Sequence, residues 1–397
     1  MTKTERTMVT LDRAFALIDE MREAFYAYLP AETVEIAGVA GRRLAADVIA
    51  QVNMPAYDLC TMDGYAIRST DTQPLQIVGE AYAGRGYGRL GPREAVYVAT
   101  GARLPEGADA VLPIEQATVR DGQLTGARVE PGAFVVREGG DFVAGTTLLP
   151  KDSLIAPAAA GVFRTAGVAR VSVYRKPRVA VIATGDEIRD GIVADANGPM
   201  VCAMLEAWGC EPEPLSPVGD DREELAGVIA RCSENHDVVI TIGGVSVGRM
   251  DFVHSVVEGR VVFKGVRVKP GKPFVASWVG ATPVFSLPGK PSGSYAAMEV
   301  FVRRFLLGDA RQRVVSLPVG RDVRPAVPGF DYVVFVELQS GRAQPIGYAG
   351  SPVELLPGPE YDTSLLSTTA RTALSDGYFI ARDPVKAGQP VAVNLSR

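Results

Sequence analysis

RVAVIATGDE at residues 178–187 and DVVITIGGVSVG at residues 237–248 decide the fold of this chain. Each is a short apolar strand that runs into a loop of small and acidic residues, and helix and strand patterns alternate from Arg178 onward. A helix is expected from about Gly198 to Trp208 and a strand near Glu213 to Val218. The helix REELAGVIARCSEN follows, then another near Asp251 to Val257. Strands around 261–268, 274–279 and 283–287 and the helix SGSYAAMEVFVRRFLLG complete the run. Such alternation builds a parallel, doubly wound sheet, here over 176–312.

Outside this domain the pattern changes. Leu11, Phe15, Ile18, Met21, Phe25 and Tyr28 recur at helical spacing behind Thr10, a candidate N-cap, and the helix stops at Pro30. Short β-type runs broken by Gly and Pro fill 51–145, among them LQIVGEAYAG and ADAVLPIEQATV. The segment 146–175 carries an Ala-rich helix candidate and a short strand, so the β module reads as an insertion in a helical stalk made of 1–50 and 146–175. After Gly308 the runs VVFVELQ, GYFIA and QPVAVNL give a small C-terminal β domain over 313–397. The expected class is therefore multidomain α/β plus β.

With 41 Lys and Arg against 46 Asp and Glu over 397 residues, the formal charge is −5, which argues against nonspecific nucleic-acid binding. No apolar run approaches the ~18 residues of a membrane span and the N-terminus lacks a signal-type apolar segment, so a cytoplasmic protein is expected. Cys60, Cys202, Cys210 and Cys232 form no CxxC pair and read as reduced structural thiols. His236, between a polar helix end and a strand, reads as a solvated residue, and His254 is isolated, which leaves carboxylates, lysines, hydroxyls or a bound metal to carry chemistry.

In an open α/β sheet, ligands bind outside the carboxyl ends of the strands. The loops expected there hold Thr184, Gly185, Asp186 and Glu187, then Gly219, Asp220 and Asp221. They continue with Gly243, Gly244, Ser246 and Gly248, with Asp251 three residues on, and with Pro288, Gly289, Lys290 and Pro291. GGVSVG is neither a P-loop nor GxGxxG, but its glycines allow backbone N–H groups to approach an anion. In KGVRVKPGKPF, Pro270 and Gly271 stiffen a turn that aims Lys269 and Lys272 at one region, as phosphate recognition requires. Carboxylates beside a phosphate call for a hard cation such as Mg²⁺ between them. For Asp220 and Asp221, capping of the helix that follows is an equal alternative. Asp63-Gly64, in TMDGYAIRS, is a turn signal in the β module.

Taken together, MDGYA at 62–66, TGARLPEGADAV at 100–111, EGGDFVAG at 138–145, ATGDE at 183–187, GGVSVGRMDF at 243–252, KPGKP at 269–273 and LPG with Pro291 resemble the MoeA family. These are the molybdopterin molybdenumtransferases that include the gephyrin E domain. The resemblance implies a MogA-like pterin-binding domain, four domains per subunit, and an elongated homodimer with the active site between the pterin-binding domain and the partner's β module. It implies a reaction of adenylylated molybdopterin with molybdate that needs Mg²⁺ and releases AMP, and a link to the molybdopterin adenylyltransferase of the same pathway.

Carried over by position, it makes Asp63, Thr100 and Asp141 functional residues of the β module. Glu187, Asp221 and Asp251 become the acidic set, with Glu187 and Asp251 orienting the metal or the pterin, Lys269 and Lys272 the basic set that holds phosphate or molybdate, and Pro288 and Pro291 part of the ligand-side loop. Lys290 stands where many relatives have Asn, Ser292-Gly293 where they have Val-Ser, and Gly265 at the position of a family lysine, next to Lys264. Those departures leave a noncatalytic pterin-binding scaffold as an alternative, and a tungsten-specific enzyme is another because the residues do not separate molybdate from tungstate.

Overall fold

The two apolar runs are neighbouring strands at the centre of a six-stranded sheet. In the computed structural model, which describes residues 8–244, 260–308, 313–351, 354–366 and 369–396, Arg178–Ala183 pairs in parallel with Val238–Ile242. The full order is Glu211–Pro214, Arg178–Ala183, Val238–Ile242, Thr282–Leu287, Val275–Val279 and Arg260–Lys264. The first four strands are parallel, and Val275–Val279 runs antiparallel to both of its neighbours, so Arg260–Lys264 points the same way as the first four. Val179, Ala180, Val239 and Ile240 are fully buried, as expected for strands covered on both faces.

Glu211–Pro214 is shorter than expected and lies at the sheet edge. Glu211 and Leu215 donate their N–H groups inward to Pro177 and Val181. Pro212 and Pro214, which have no N–H to donate, alternate with them and are tolerated only on an edge. His236, at the end of the helix Arg222–Asn235, is not solvated as expected. Its side chain is 7% exposed, with Nε2 3.0 Å from Glu213 of the edge strand and Nδ1 3.2 Å from the Cys232 carbonyl.

The chain divides into two compact units, one running through Pro30 and resuming at Arg175, the other spanning Ala31–Tyr174. The helix Leu11–Tyr28, capped by Thr10, belongs to the first. Its Phe15 and Phe25 pack on Phe301 and Phe305, and Asp19 holds Arg304 through two hydrogen bonds of 2.9 and 2.6 Å. Phe274 stacks on Phe301 at 4.6 Å between ring centres and joins these rings to Phe285 and Phe263.

The strand expected over 261–268 is broken. Gly265, with φ +73°, turns the chain out of the central sheet, and Val268–Lys269 joins a second sheet alongside Asp331–Gln339. A Cβ on Gly265 would lie 2.9 Å from Met8 Cγ, so the packing of the N-terminal segment and the positive φ both favour glycine here. The rest of the second sheet comes from Gly377–Ala381, Pro390–Leu395, Val314–Pro318 and Arg342–Pro345.

In the other unit a six-stranded sheet runs in the order Ala110–Pro113, Gly64–Ile67, Glu94–Val98, Leu75–Ala81, Gln123–Gly126 and Ala117–Arg120. The flanking segments carry paired strands, Ala31–Glu35 with Arg170–Tyr174 and Val48–Ile49 with Thr147–Leu149. They also carry the 3₁₀ turn Ile36–Gly38 and the short α-helix Ala159–Thr165, whose Phe163 is fully buried. The four cysteines are free thiols, and burial pushes those of Cys60 and Cys210 up to about 12. Among the described residues no helix is long and apolar enough to cross a membrane.

The last helical run, Pro291–Leu307, contains a π-helical turn at Met298–Val302 that carries Glu299 into the core, 4% exposed and with Oε2 unpaired. Burial raises its carboxyl from 4.5 to about 7. A carboxyl raised in the folded state binds its proton more tightly there than in the unfolded chain. Its stabilising protonation is therefore complete below pH 4.5 and lost as the pH climbs through about 7. We expect urea-unfolding stability to fall across that window, and Glu299→Gln, which cannot ionise, to remove this fall; an unchanged slope in the variant would contradict the assignment.

Candidate functional site

Three parallel strands end side by side. The Thr184 N–H and hydroxyl both donate to the Ile242 carbonyl, at 2.9 and 3.1 Å, and the Gly243 N–H donates to the Leu287 carbonyl at 3.0 Å. Thr184 is buried, and its side chain occupies the space that a side chain on the next strand's loop would need. A Cβ on Gly243 would fall 2.8 Å from Thr184 Oγ1, and one on Gly244 3.1 Å away, with both glycines at positive φ. On the far side, a Cβ on Gly289 would lie 3.4 Å from Gly243 Cα. The structure thus brings together Thr184, Gly185, Gly243, Gly244 and Gly289 of the expected ligand-binding set.

The acidic loop is built around Gly185, whose N–H donates to the Val218 carbonyl at 3.0 Å and whose φ is +129°. A Cβ there would meet the Glu187 carboxylate at 2.8 Å, so Glu187 folds back over the glycine at the strand end. Asp186 accepts from the Asp220 N–H at 3.1 Å and pairs with Arg189 at 2.9 Å, which ties this loop to the next. Asp221 is the N-cap of the helix Arg222–Asn235, accepting from the Glu224 N–H at 2.9 Å. Of the two uses open to Asp221, capping is the one with a visible contact.

Ser246, Gly248 and Asp251 lie outside the described residues. Among the described residues no three His, Cys, Asp or Glu side chains gather as a metal site.

In the fourth loop, Pro291 opens the helix Pro291–Ala297, and the Lys290 carbonyl accepts from the N–H groups of Gly293 and Ser294. The Ser294 hydroxyl donates to the Pro288 carbonyl, and a Cβ on Gly293 would press on Pro288 at 3.0 Å. The Ser294 hydroxyl and the bare Cα of Gly293 thus let the helix close on Pro288. Asn197 was not among the expected site residues. Its amide donates to the Gly289 carbonyl at 2.8 Å, while its Oδ1 is buried without a partner. One Asn at the start of a helix gives no such signal in sequence, because its use depends on a loop 92 residues away.

Lys269 and Lys272 do converge. Their ammonium groups sit 4.9 and 5.5 Å from the centre of one ring, that of Phe330.

In the other unit, antiparallel pairing sets Gly64 opposite Val98. This register brings Asp63 beside Thr100, whose N–H and hydroxyl donate to Asp63 Oδ1 at 2.6 and 2.8 Å. The backbone N–H foremost, and then the hydroxyl, hold the Asp63 carboxyl below the usual carboxylate range, so it is ionised at neutral pH. Asp141 is exposed on a separate loop whose backbone is fixed by donation to the Met54 carbonyl at 2.9 Å; no hydrogen bond joins it to Asp63 or Thr100.

Residues 9–167 match the family described as the MoeA N-terminal region (domain I and II), and residues 180–308 match the probable molybdopterin binding domain. A molybdopterin molybdenumtransferase of Staphylococcus aureus is 34% identical over 295 residues, 69% of this chain and 70% of the relative. One from Haemophilus influenzae is 34% identical over 299 residues, 72% and 73% of the two chains. A solved molybdopterin biosynthesis MoeA protein from Pyrococcus horikosii superposes with a TM-score of 0.74 at 28% identity, covering 98% of this chain and 99% of its own.

Two outcomes are expected. Gly243→Ala should lower stability by about 2 kcal/mol through positive-φ strain and the clash with Thr184, read as a shift in urea midpoint at constant slope. Thr100→Val, which removes the hydroxyl but keeps the N–H, should raise the Asp63 titration midpoint part of the way to its ordinary value, read by carboxyl ¹³C NMR; an unmoved midpoint would deny the hydroxyl its role.

Proposed function

Since the chain belongs to the MoeA family, we propose that it is a molybdopterin molybdenumtransferase, which takes adenylylated molybdopterin and molybdate, cleaves the pyrophosphate bond, and yields molybdenum cofactor and AMP. The observation that carries this reading is the junction of Thr184, Gly243 and Gly289, where three strand ends present glycine loops at one edge of the pterin-binding domain.

The chemistry follows from the residues there. Glycine loops at strand ends let backbone N–H groups approach phosphate oxygens closely. Lys269 and Lys272 supply two positive charges for molybdate or for phosphate oxygens, where charge builds up as the phosphorus–oxygen bond breaks. Within the β module, Asp63, held ionised by Thr100, is the candidate acceptor.

Mg²⁺ is commonly held by one or two carboxylates together with substrate phosphates and water. The single carboxylate of Glu187 at the strand end fits that need, with Asp251 as the second ligand of the proposal. The ion would neutralise pyrophosphate charge. A homodimer and a cytoplasmic location belong to the same reading, and sedimentation velocity tests the first.

The decisive experiment incubates purified protein with adenylylated molybdopterin, Mg²⁺ and molybdate and follows AMP release. We expect release that depends on the oxyanion and stops when Mg²⁺ is chelated, with tungstate in place of molybdate measuring metal preference. Lys269→Glu should lower kcat/KM by about 100-fold or more while circular dichroism stays unchanged. Full turnover in that variant would remove Lys269 from the site, and pterin binding without AMP release would mark a scaffold instead.

A further inference from the structure

Phe330 lies beyond both matched family regions, which end at residue 308, and no motif of the chain points to it. Yet it is the ring that both lysines of the KPGKP turn share, at 4.9 and 5.5 Å from its centre. We propose that Phe330 is the positioning residue of the Lys269 and Lys272 pair, so that the C-terminal sheet sets the geometry of the oxyanion-binding part of the site. This rests on the functional reading above for the identity of the oxyanion.

Three constraints fix the arrangement. Parallel pairing sets Val268 opposite Asp331 and Lys269 opposite Tyr332, and the Asp331 N–H donates to the Arg267 carbonyl at 2.9 Å, which locks residue 330 beside the lysine strand. The ring is 8% exposed and packs in the core of the C-terminal sheet, so it is an anchored platform and not a surface contact. The turn is equally fixed. Gly271 takes φ +112°, the Val266 N–H donates to the Lys272 carbonyl at 3.0 Å, and the Phe274 N–H donates to the Gly271 carbonyl at 3.0 Å.

Each ammonium group lies within 5.5 Å of the ring centre, where an aliphatic side chain would offer neither of them an electrostatic partner. The negative face of an aromatic ring attracts both. The ring thereby gives both lysines one shared anchor from which they can meet an oxyanion. An oxyanion with several equivalent oxygens, molybdate or a phosphate group, is the ligand class that such a pair suits.

The test uses the full-length protein with Phe330→Leu, Phe330→Tyr, and trifluorophenylalanine at position 330, which keeps the ring's shape while weakening its negative face. In wild type, ε-¹³C-labelled Lys269 and Lys272 should show ring-current-shifted methylene resonances, lost in Phe330→Leu and kept in Phe330→Tyr. The molybdate KM should rise about five- to thirty-fold in Phe330→Leu, with kcat within about twofold of wild type and Phe330→Tyr near wild type. The fluorinated variant should show the same rise, and it stands in if Phe330→Leu does not fold. A molybdate KM that stays put while the ring is lost or fluorinated overturns the proposal. Should wild type release no AMP, calorimetric binding of molybdate and of inorganic phosphate reads the lysine pair directly. Weaker binding by the variants then supports the positioning role without the enzyme reading, and equal binding overturns it.

Discussion

The burial of one hydroxyl sets the carboxyl edge of the parallel sheet. Thr184 ends its strand by donating twice to the Ile242 carbonyl, and its Oγ1 fills the space into which Cβ atoms at 243 and 244 would project. The neighbouring loop must therefore start with two glycines at positive φ, and the close approach of Gly289 to Gly243 Cα carries the same requirement to a third loop. Close packing tolerates no extra methylene at such a junction. The glycine-rich appearance of these loops is thus a packing consequence before it is a ligand-binding device, and the two uses coincide because backbone without side chains is also what a phosphate can approach.

Charge is sorted around this edge by structural tasks as much as by chemistry. Asp221 caps a helix and Asp186 joins two loops through Asp220 and Arg189, so acids that look alike in sequence differ in what they are free to do. Glu187 remains at the strand end, folded over a glycine that cannot be replaced without displacing it. The cations are arranged differently, gathered on an aromatic ring beside the second sheet, which Lys269 itself joins. In the other unit, a β-sheet register of a few residues joins Asp63 to Thr100 and leaves that carboxylate ionised.

Much of this was legible in sequence. The helices 11–28 and 222–235 and the central strands follow from apolar spacing, because those elements are decided by local pattern and by burial on one or two faces. The illegible features share one cause. The edge strand of Glu211–Pro214 depends on which flank of the sheet the chain occupies, and the side chain of His236 is covered because that strand passes beneath it. The break at Gly265 depends on Met8, from the opposite end of the domain. Asn197 and Phe330 act through partners about 60 to 90 residues away, with no local motif to betray them.

The sequence by itself determined the order of elements, the glycine and carboxylate loops at the strand ends, and the motifs that place the chain in its family. All of these are written in short windows of adjacent residues. Only the tertiary structure decided which acids are held in structural contacts, why glycine suits position 265, and that a C-terminal ring lies against the lysine pair. Those outcomes depend on the space and charge left by residues distant in the chain, and contact across a folded core is not encoded in any local stretch.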